Sequence, residues 1–107
     1  GLGLRHNTSL EELYLDYNEI QDEGAVILAT ALQRNFSLRV LQLTANRIGD
    51  EGAAAFAQLF RIKSPSSGLR VLGLARNDIS SVGCTNLVQA MEESNFELTT
   101  LDLKLNH

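Results

Sequence analysis

The amino-acid sequence predicts a right-handed α/β solenoid, with a parallel sheet on its concave face and helices on its convex face. Two observations carry the prediction. The first is a phrase written four times: Leu10-x-x-Leu13-x-Leu15-x-x-Asn18-x-Ile20, Leu38-x-x-Leu41-x-Leu43-x-x-Asn46-x-Ile48, Leu69-x-x-Leu72-x-Leu74-x-x-Asn77-x-Ile79 and Leu98-x-x-Leu101-x-Leu103-x-x-Asn106. Successive units begin 28, 31 and 29 residues apart, and a unit of this size buries its apolar side only by stacking against its neighbours. The second is a change of apolar period inside each unit, from two to that of a helix.

Each strand is marked by the period of two in Leu13-x-Leu15, Leu41-x-Leu43, Leu72-x-Leu74 and Leu101-x-Leu103, which puts the leucines on one sheet face and the residues between them on the other. Each return segment follows helical spacing: Ala25, Leu28, Ala29 and Leu32; Ala53, Phe56, Ala57 and Phe60; Cys84, Leu87, Val88 and Met91. Strand, helix and parallel strand in succession give a right-handed crossover. The chain thus divides into 1–9, the helix end of a truncated repeat; full repeats at 10–37, 38–68 and 69–97; and 98–107, the start of a further repeat.

Between strand and helix, Asn18, Asn46, Asn77 and Asn106 sit in an otherwise apolar frame. A buried amide left unpaired costs about 1–3 kcal/mol, so these side chains are expected to form a ladder, each bonding backbone groups of its own and the adjacent turn. Helix starts are read from Asp22-Glu23-Gly24, Asp50-Glu51-Gly52 and Ser81-Val82-Gly83. An oxygen at the N-terminus takes an orphan backbone N–H, and carboxylates there suit the helix dipole. Gly24, Gly52 and Gly83 share one phase and are expected to allow helix to pack closely on strand. The extra residues of the second full unit fall in Arg61–Gly68, which holds the only Pro and reads as a surface loop with a Ser64-Pro65 candidate for phosphorylation.

The repeated phrase resembles the leucine-rich repeat, and the long units are similar to its ribonuclease-inhibitor subclass, as in ribonuclease inhibitor, the NOD-like receptors and the Ran GTPase-activating protein. The Asp-Glu-Gly-Ala helix start and the Leu-Ala-x-Ala-Leu of the first helix look most like the NOD-like receptor kind. In these families the array is a recognition surface, so the resemblance implies a protein-interaction module within a larger intracellular protein. It also implies an alternative, GTPase activation of the Ran activator type, with Arg47 or Arg76 as available arginines; a third reading is structural, a scaffold element of a cytoskeletal or ciliary assembly.

Composition narrows the partners. The 107 residues carry 9 Lys+Arg against 13 Asp+Glu, a net charge of −4, with no basic run of the kind nucleic acid requires. No stretch approaches the roughly 20 apolar residues of a membrane span. The single Cys84 makes no internal disulfide, and with the resemblance this points to a reducing, cytoplasmic setting. Cys84 occupies the phase of Ala25 and Ala53 and reads as a structural thiol. Asn7-Thr8-Ser9 and Asn35-Phe36-Ser37 match glycosylation sequons but recur at a structural phase of the repeat. His6 and His107 lie near opposite ends, and no nucleophile, base and carboxylate are arranged for catalysis. No enzyme activity, cofactor or metal is therefore expected.

Function is placed on the variable residues of the concave face. The outward strand positions are Glu12, Tyr14, Asp16 and Tyr17; Val40, Gln42, Thr44 and Ala45; Val71, Gly73, Ala75 and Arg76; and Thr100, Asp102, Lys104 and Leu105. Glu19, Arg47, Asp78 and His107 follow one phase later as a line of alternating sign. The predicted protein-binding residues are Glu12, Tyr14, Asp16, Tyr17, Glu19, Gln42, Thr44, Arg47, Arg76, Asp78, Asp102 and Lys104. The emphasis falls on Tyr14 and Tyr17, because aromatics within a polar rim have the composition of interface anchors. The uncapped ends are expected to contact further repeats of the same protein.

Overall fold

Four short strands alternate with three helices in the computed structural model, which describes residues 10–34, 37–63, 68–94 and 98–106. In chain order these are β1 (Glu12–Tyr14), α1 (Gln21–Leu32), β2 (Val40–Gln42), α2 (Asp50–Lys63), β3 (Val71–Gly73), α3 (Ser81–Ser94) and β4 (Thr100–Asp102). The strands form one parallel sheet in the order β1-β2-β3-β4, with Leu13, Leu41, Leu72 and Leu101 in register. α1 packs on α2 and α2 on α3. This is the α/β solenoid that the repeated phrase predicts.

The core lies between sheet and helices. Leu41, Leu43, Ile48, Leu72, Leu74 and Ile79 from the strand side meet Ala53, Phe56, Ala57 and Phe60 of α2, all at 0% exposure. Full burial of each such large side chain contributes about 2–3 kcal/mol. Burial fades toward the outer units. Leu10, Leu13, Leu15 and Ile20, and at the other side Met91, Leu98, Leu101 and Leu103, are only partly buried. Val88 of α3 is 44% exposed, although its counterpart Ala57 is fully buried, because among the described residues α2 is covered on both flanks and α3 on one.

The asparagine ladder is present and runs in one direction. Asn46 Oδ1 accepts the N–H groups of Asn18 (2.8 Å) and Ile20 (3.2 Å), while its Nδ2 donates to Leu15 O (2.9 Å) and to Thr44 O of its own turn (3.2 Å). Asn77 serves Asn46 N–H (2.8 Å), Ile48 N–H (3.0 Å) and Leu43 O (2.9 Å) in the same way. Asn106 accepts Ile79 N–H at 3.0 Å and donates to Leu74 O at 2.8 Å. Each amide thus satisfies the turn of the unit before it.

The helix starts differ from the sequence expectation. Asp22 does not cap α1; its Oδ1 accepts Gly49 N–H (2.7 Å) and Gly52 N–H (2.8 Å), at the start of the next helix. Asp50 likewise reaches forward, accepting Ser80 N–H at 2.7 Å and the Ser80 hydroxyl at 2.5 Å. Ser80 rather than Ser81 caps α3 locally, its Oγ accepting Val82 N–H at 3.2 Å. At α2 and α3, orphan N–H groups thus find oxygens from the preceding unit as well as from Ser80, because stacking brings one carboxylate alongside the next helix's first turn. The glycines follow from this. A Cβ on Gly52 would stand 2.9 Å from Asp22 Oδ1 and 2.9 Å from Ala25 Cβ, so the phase is fixed by helix meeting helix as well as by the preceding Ile.

Arg61 and Ile62, expected in a loop, belong to α2. Arg61 Nε approaches Glu93 Oε1 at 3.2 Å and its Nη1 donates to Asn86 Oδ1 at 3.2 Å, so contact with α3 extends the helix. Residues 64–67, and with them Ser64-Pro65, lie outside the described residues, as do Asn7, Asn35, His6 and His107.

Candidate protein-binding surface

Strand alternation and one-to-one register set the outward residues in rows across the sheet. Glu12, Val40, Val71 and Thr100 make the first row and Tyr14, Gln42, Gly73 and Asp102 the second. Beyond the strands, Asp16 Oδ1 accepts Thr44 N–H at 2.7 Å, and the main chain pairs on through Tyr17 N–H to Thr44 O, Ala45 N–H to Ala75 O and Arg76 N–H to Lys104 O, at 2.9–3.0 Å. Asp16, Thr44, Ala75 and Lys104 therefore form a third row. Tyr17, Ala45, Arg76 and Leu105 form a fourth, each with φ between 56° and 61°. A left-handed residue at every strand exit turns the chain toward its helix, and none of the four is glycine.

Side chains on this face are unevenly exposed. Tyr14 and Tyr17 project at 58% and 73% exposure and Leu105 at 58%, while Glu12, Arg76 and Lys104 are also exposed. Gly73 and Ala75, predicted to face outward, are buried, and Gln42 and Thr44 are half-buried. The Gln42 amide folds across Gly73, filling the space that a Cβ would take. The middle of the sheet is consequently a low floor of Val40, Thr44, Val71, Gly73 and Ala75, with taller side chains on β1 and β4.

Polar contacts order the rim. The Tyr14 hydroxyl donates to Glu12 Oε1 at 2.9 Å; this bond, with burial and the Glu12 and Asp16 charges, raises its pKa and keeps the phenol protonated. In the line of alternating sign, Glu19 and Arg47 meet at 3.5 Å, both largely exposed, a contact worth at most about 1 kcal/mol. Asp78 is exposed in the next unit. Asp102 and Lys104 lie 3.9 Å apart. Nine of the twelve predicted residues thus lie in the four rows, Glu12, Tyr14, Asp16 and Tyr17 all on the first strand and its exit, while Glu19, Arg47 and Asp78 follow in the turns beyond.

Chemistry elsewhere is sparse. A shallow depression along α3 is lined by Ser81, Val82, Thr85, Asn86 and Gln89, none of them a titratable base. Cys84 is free and half-buried; burial and the nearby Asp50 charge raise its pKa, so the thiol stays protonated. It is less enclosed than Ala25 and Ala53, whose helices are each followed by a packed helix, whereas among the described residues none follows α3. Among the described residues no group of His, Cys, Asp and Glu is placed to hold a metal ion, and no helix is long and apolar enough to cross a membrane.

A family model described as leucine rich repeat matches residues 6–29 and 34–57, spanning the first strand with most of α1 and the second strand with half of α2. These are leucine-rich repeats. Two solved structures share the solenoid over nearly the whole chain. One is described as leiomodin-1 actin-binding site 2, with a TM-score of 0.87 and 21% identity over 98% of this chain. The other is a tropomodulin C-terminal domain of Caenorhabditis elegans, with a TM-score of 0.76 and 20% identity over 97% of this chain. The chain spans 60% of the length of each. No curated protein matches it in sequence.

Proposed function

We propose that this chain is a protein-recognition module within a larger intracellular protein and that it binds through the sheet face. The observation that carries the reading is the projection of Tyr14 and Tyr17 above an otherwise low, uncovered sheet, since rigid aromatic side chains with polar neighbours anchor protein interfaces. Four strands about 4.8 Å apart offer roughly 15 Å of width, enough for part of a standard interface of about 800 Å² per partner. The half-exposed apolar residues of the outer units, Val88, Met91, Leu101 and Leu103 among them, suit contact with further repeats of the same protein. A photoreactive phenylalanine analogue placed at Tyr14, and separately at Ile27 on the outer side of α1, tests the choice of face. Crosslinks to a protein from Tyr14 are expected; crosslinks from Ile27 alone would reject it.

A second reading, a cytoskeletal scaffold element, is favoured by the likeness to the leiomodin-1 actin-binding site. Co-sedimentation with actin filaments, weakened by Y14A/Y17A, is its expected result, and a chain left wholly in the supernatant at micromolar filament concentration removes it. The GTPase-activating alternative gains no comparable support: Arg47 meets Glu19, and for the exposed Arg76 no likeness to a GTPase activator speaks.

A further inference from the structure

The charge on the sheet face is lopsided. Glu11, Glu12, Asp16 and Glu19 surround Tyr14 and Tyr17 at β1. Two of the four carboxylates have cations: Glu11 meets Arg39 at 3.9 Å and Glu19 meets Arg47 at 3.5 Å. The other two are held without being neutralised, Glu12 by the Tyr14 hydroxyl at 2.9 Å and Asp16 by the Thr44 N–H at 2.7 Å. Among the described residues neither Glu12 nor Asp16 has a cationic partner. Across the neutral floor of Val40, Gln42, Thr44, Val71, Gly73 and Ala75, about two strand spacings away, Arg76 stands exposed.

Resting on the sheet-face reading above, we propose that the β1–β2 side of this face receives a basic segment of a partner protein, with an Arg or Lys side chain seated between Glu12 and Asp16 against the Tyr14 ring. The two hydrogen bonds hold the carboxylates and the phenol in place before binding, and an exposed ring beside carboxylates attracts a cation by both its face and its charge surroundings. Phosphate backbones are repelled by the same carboxylates. Arg76 confines a basic segment to the β1 side, because an approach over β3 sets like charges together.

The chain has no Trp and only two Tyr, both at this spot, so its tyrosine emission reports the site directly. A short capped oligo-arginine peptide is the probe. Expected are a saturable change in emission, screening of the effect by ~0.5 M salt, and binding weakened about fivefold by E12Q/D16N. Both substitutions preserve shape, and Asn at 16 still accepts the Thr44 N–H. The pair E23Q/E51Q, which removes the same charge from exposed helix positions, is expected to change binding by less than about twofold. Equal weakening by the two pairs, or equal binding of an oligo-glutamate peptide, overturns the proposal. Should partner crosslinks from Tyr14 persist undiminished in E12Q/D16N, the sheet-face reading stands and the basic chemistry falls.

Discussion

Asn77 is 2% exposed and satisfied at both ends of its amide: two backbone N–H groups donate to Oδ1, and Nδ2 donates to Leu43 O, Leu74 O and Ala75 O. Removing it strands donors and acceptors in a dry turn, so Asn77→Ala is expected to cost about 3 kcal/mol, read from the urea midpoint. Asn18, exposed and donating to Asp16 O, is the internal comparison: Asn18→Ala should cost less than about 1 kcal/mol, and equal losses would refute the ladder as the source of stability. Next to each asparagine stands a residue held left-handed at a cost of about 1–2 kcal/mol for an L side chain. Ala45, at φ 58°, carries the least side chain to lose, so Ala45→Gly should stabilise by about 0.5–1 kcal/mol in the same assay. A lower midpoint would show that the methyl group's packing outweighs the strain.

At the scale of elements, sheet and helix layers are stitched in opposite directions. Asparagines reach back to the preceding turn, while Asp22 and Asp50 reach forward to the following helix. Asp50 shows the electrostatic consequence: the Ser80 hydroxyl, then the backbone N–H groups of Ser80 and Gly83, outweigh desolvation and lower its pKa. A carboxylate whose pKa falls on folding stabilises the fold above its unfolded pKa, and that contribution is lost as pH drops through the depressed folded value. The junction of α2 and α3 should therefore loosen in acid. Urea midpoints measured from about pH 5 down to pH 2 are expected to fall less steeply for Asp50→Asn than for the native chain; parallel curves would show that this carboxylate plays no part.

For the whole molecule, the gradient of burial implies a gradient of stability. β2, α2 and β3 are covered on both flanks, and every large apolar side chain of α2 that points to the core is fully enclosed. Among the described residues, β1 and β4 each have one neighbouring strand. In a repeat array, stability is close to a sum of unit and nearest-neighbour terms. Amide hydrogen exchange should accordingly be slowest at Leu41, Leu43, Leu72 and the middle of α2, and faster at Leu13 and Leu101. Uniform protection from β1 to β4 would indicate all-or-none opening instead. The same openness frames the recognition surface, which lies across strands whose backbone is fixed by their neighbours while Tyr14 and Tyr17 project beyond them.

Periodicity alone determined that this chain forms strands at its Leu-x-Leu pairs and helices between them, because burial period is local and a stacked core repeats it. It also marked the asparagines as structural, since a polar residue recurring in an apolar frame must be paired. The outward strand positions followed from strand alternation and could be named without coordinates. What only the tertiary structure decided is where the reaching side chains go. Asp22 and Asp50 carry the local signature of a helix cap, yet their oxygens bond the next helix, and the sequence of one unit does not encode the offset at which its neighbour stacks. Gly73 and Ala75 alternate correctly but are covered, because Gln42 of the adjacent strand folds over one of them. Side-chain reach between units is a property of the packed array, whereas the period that builds the array is written in each unit.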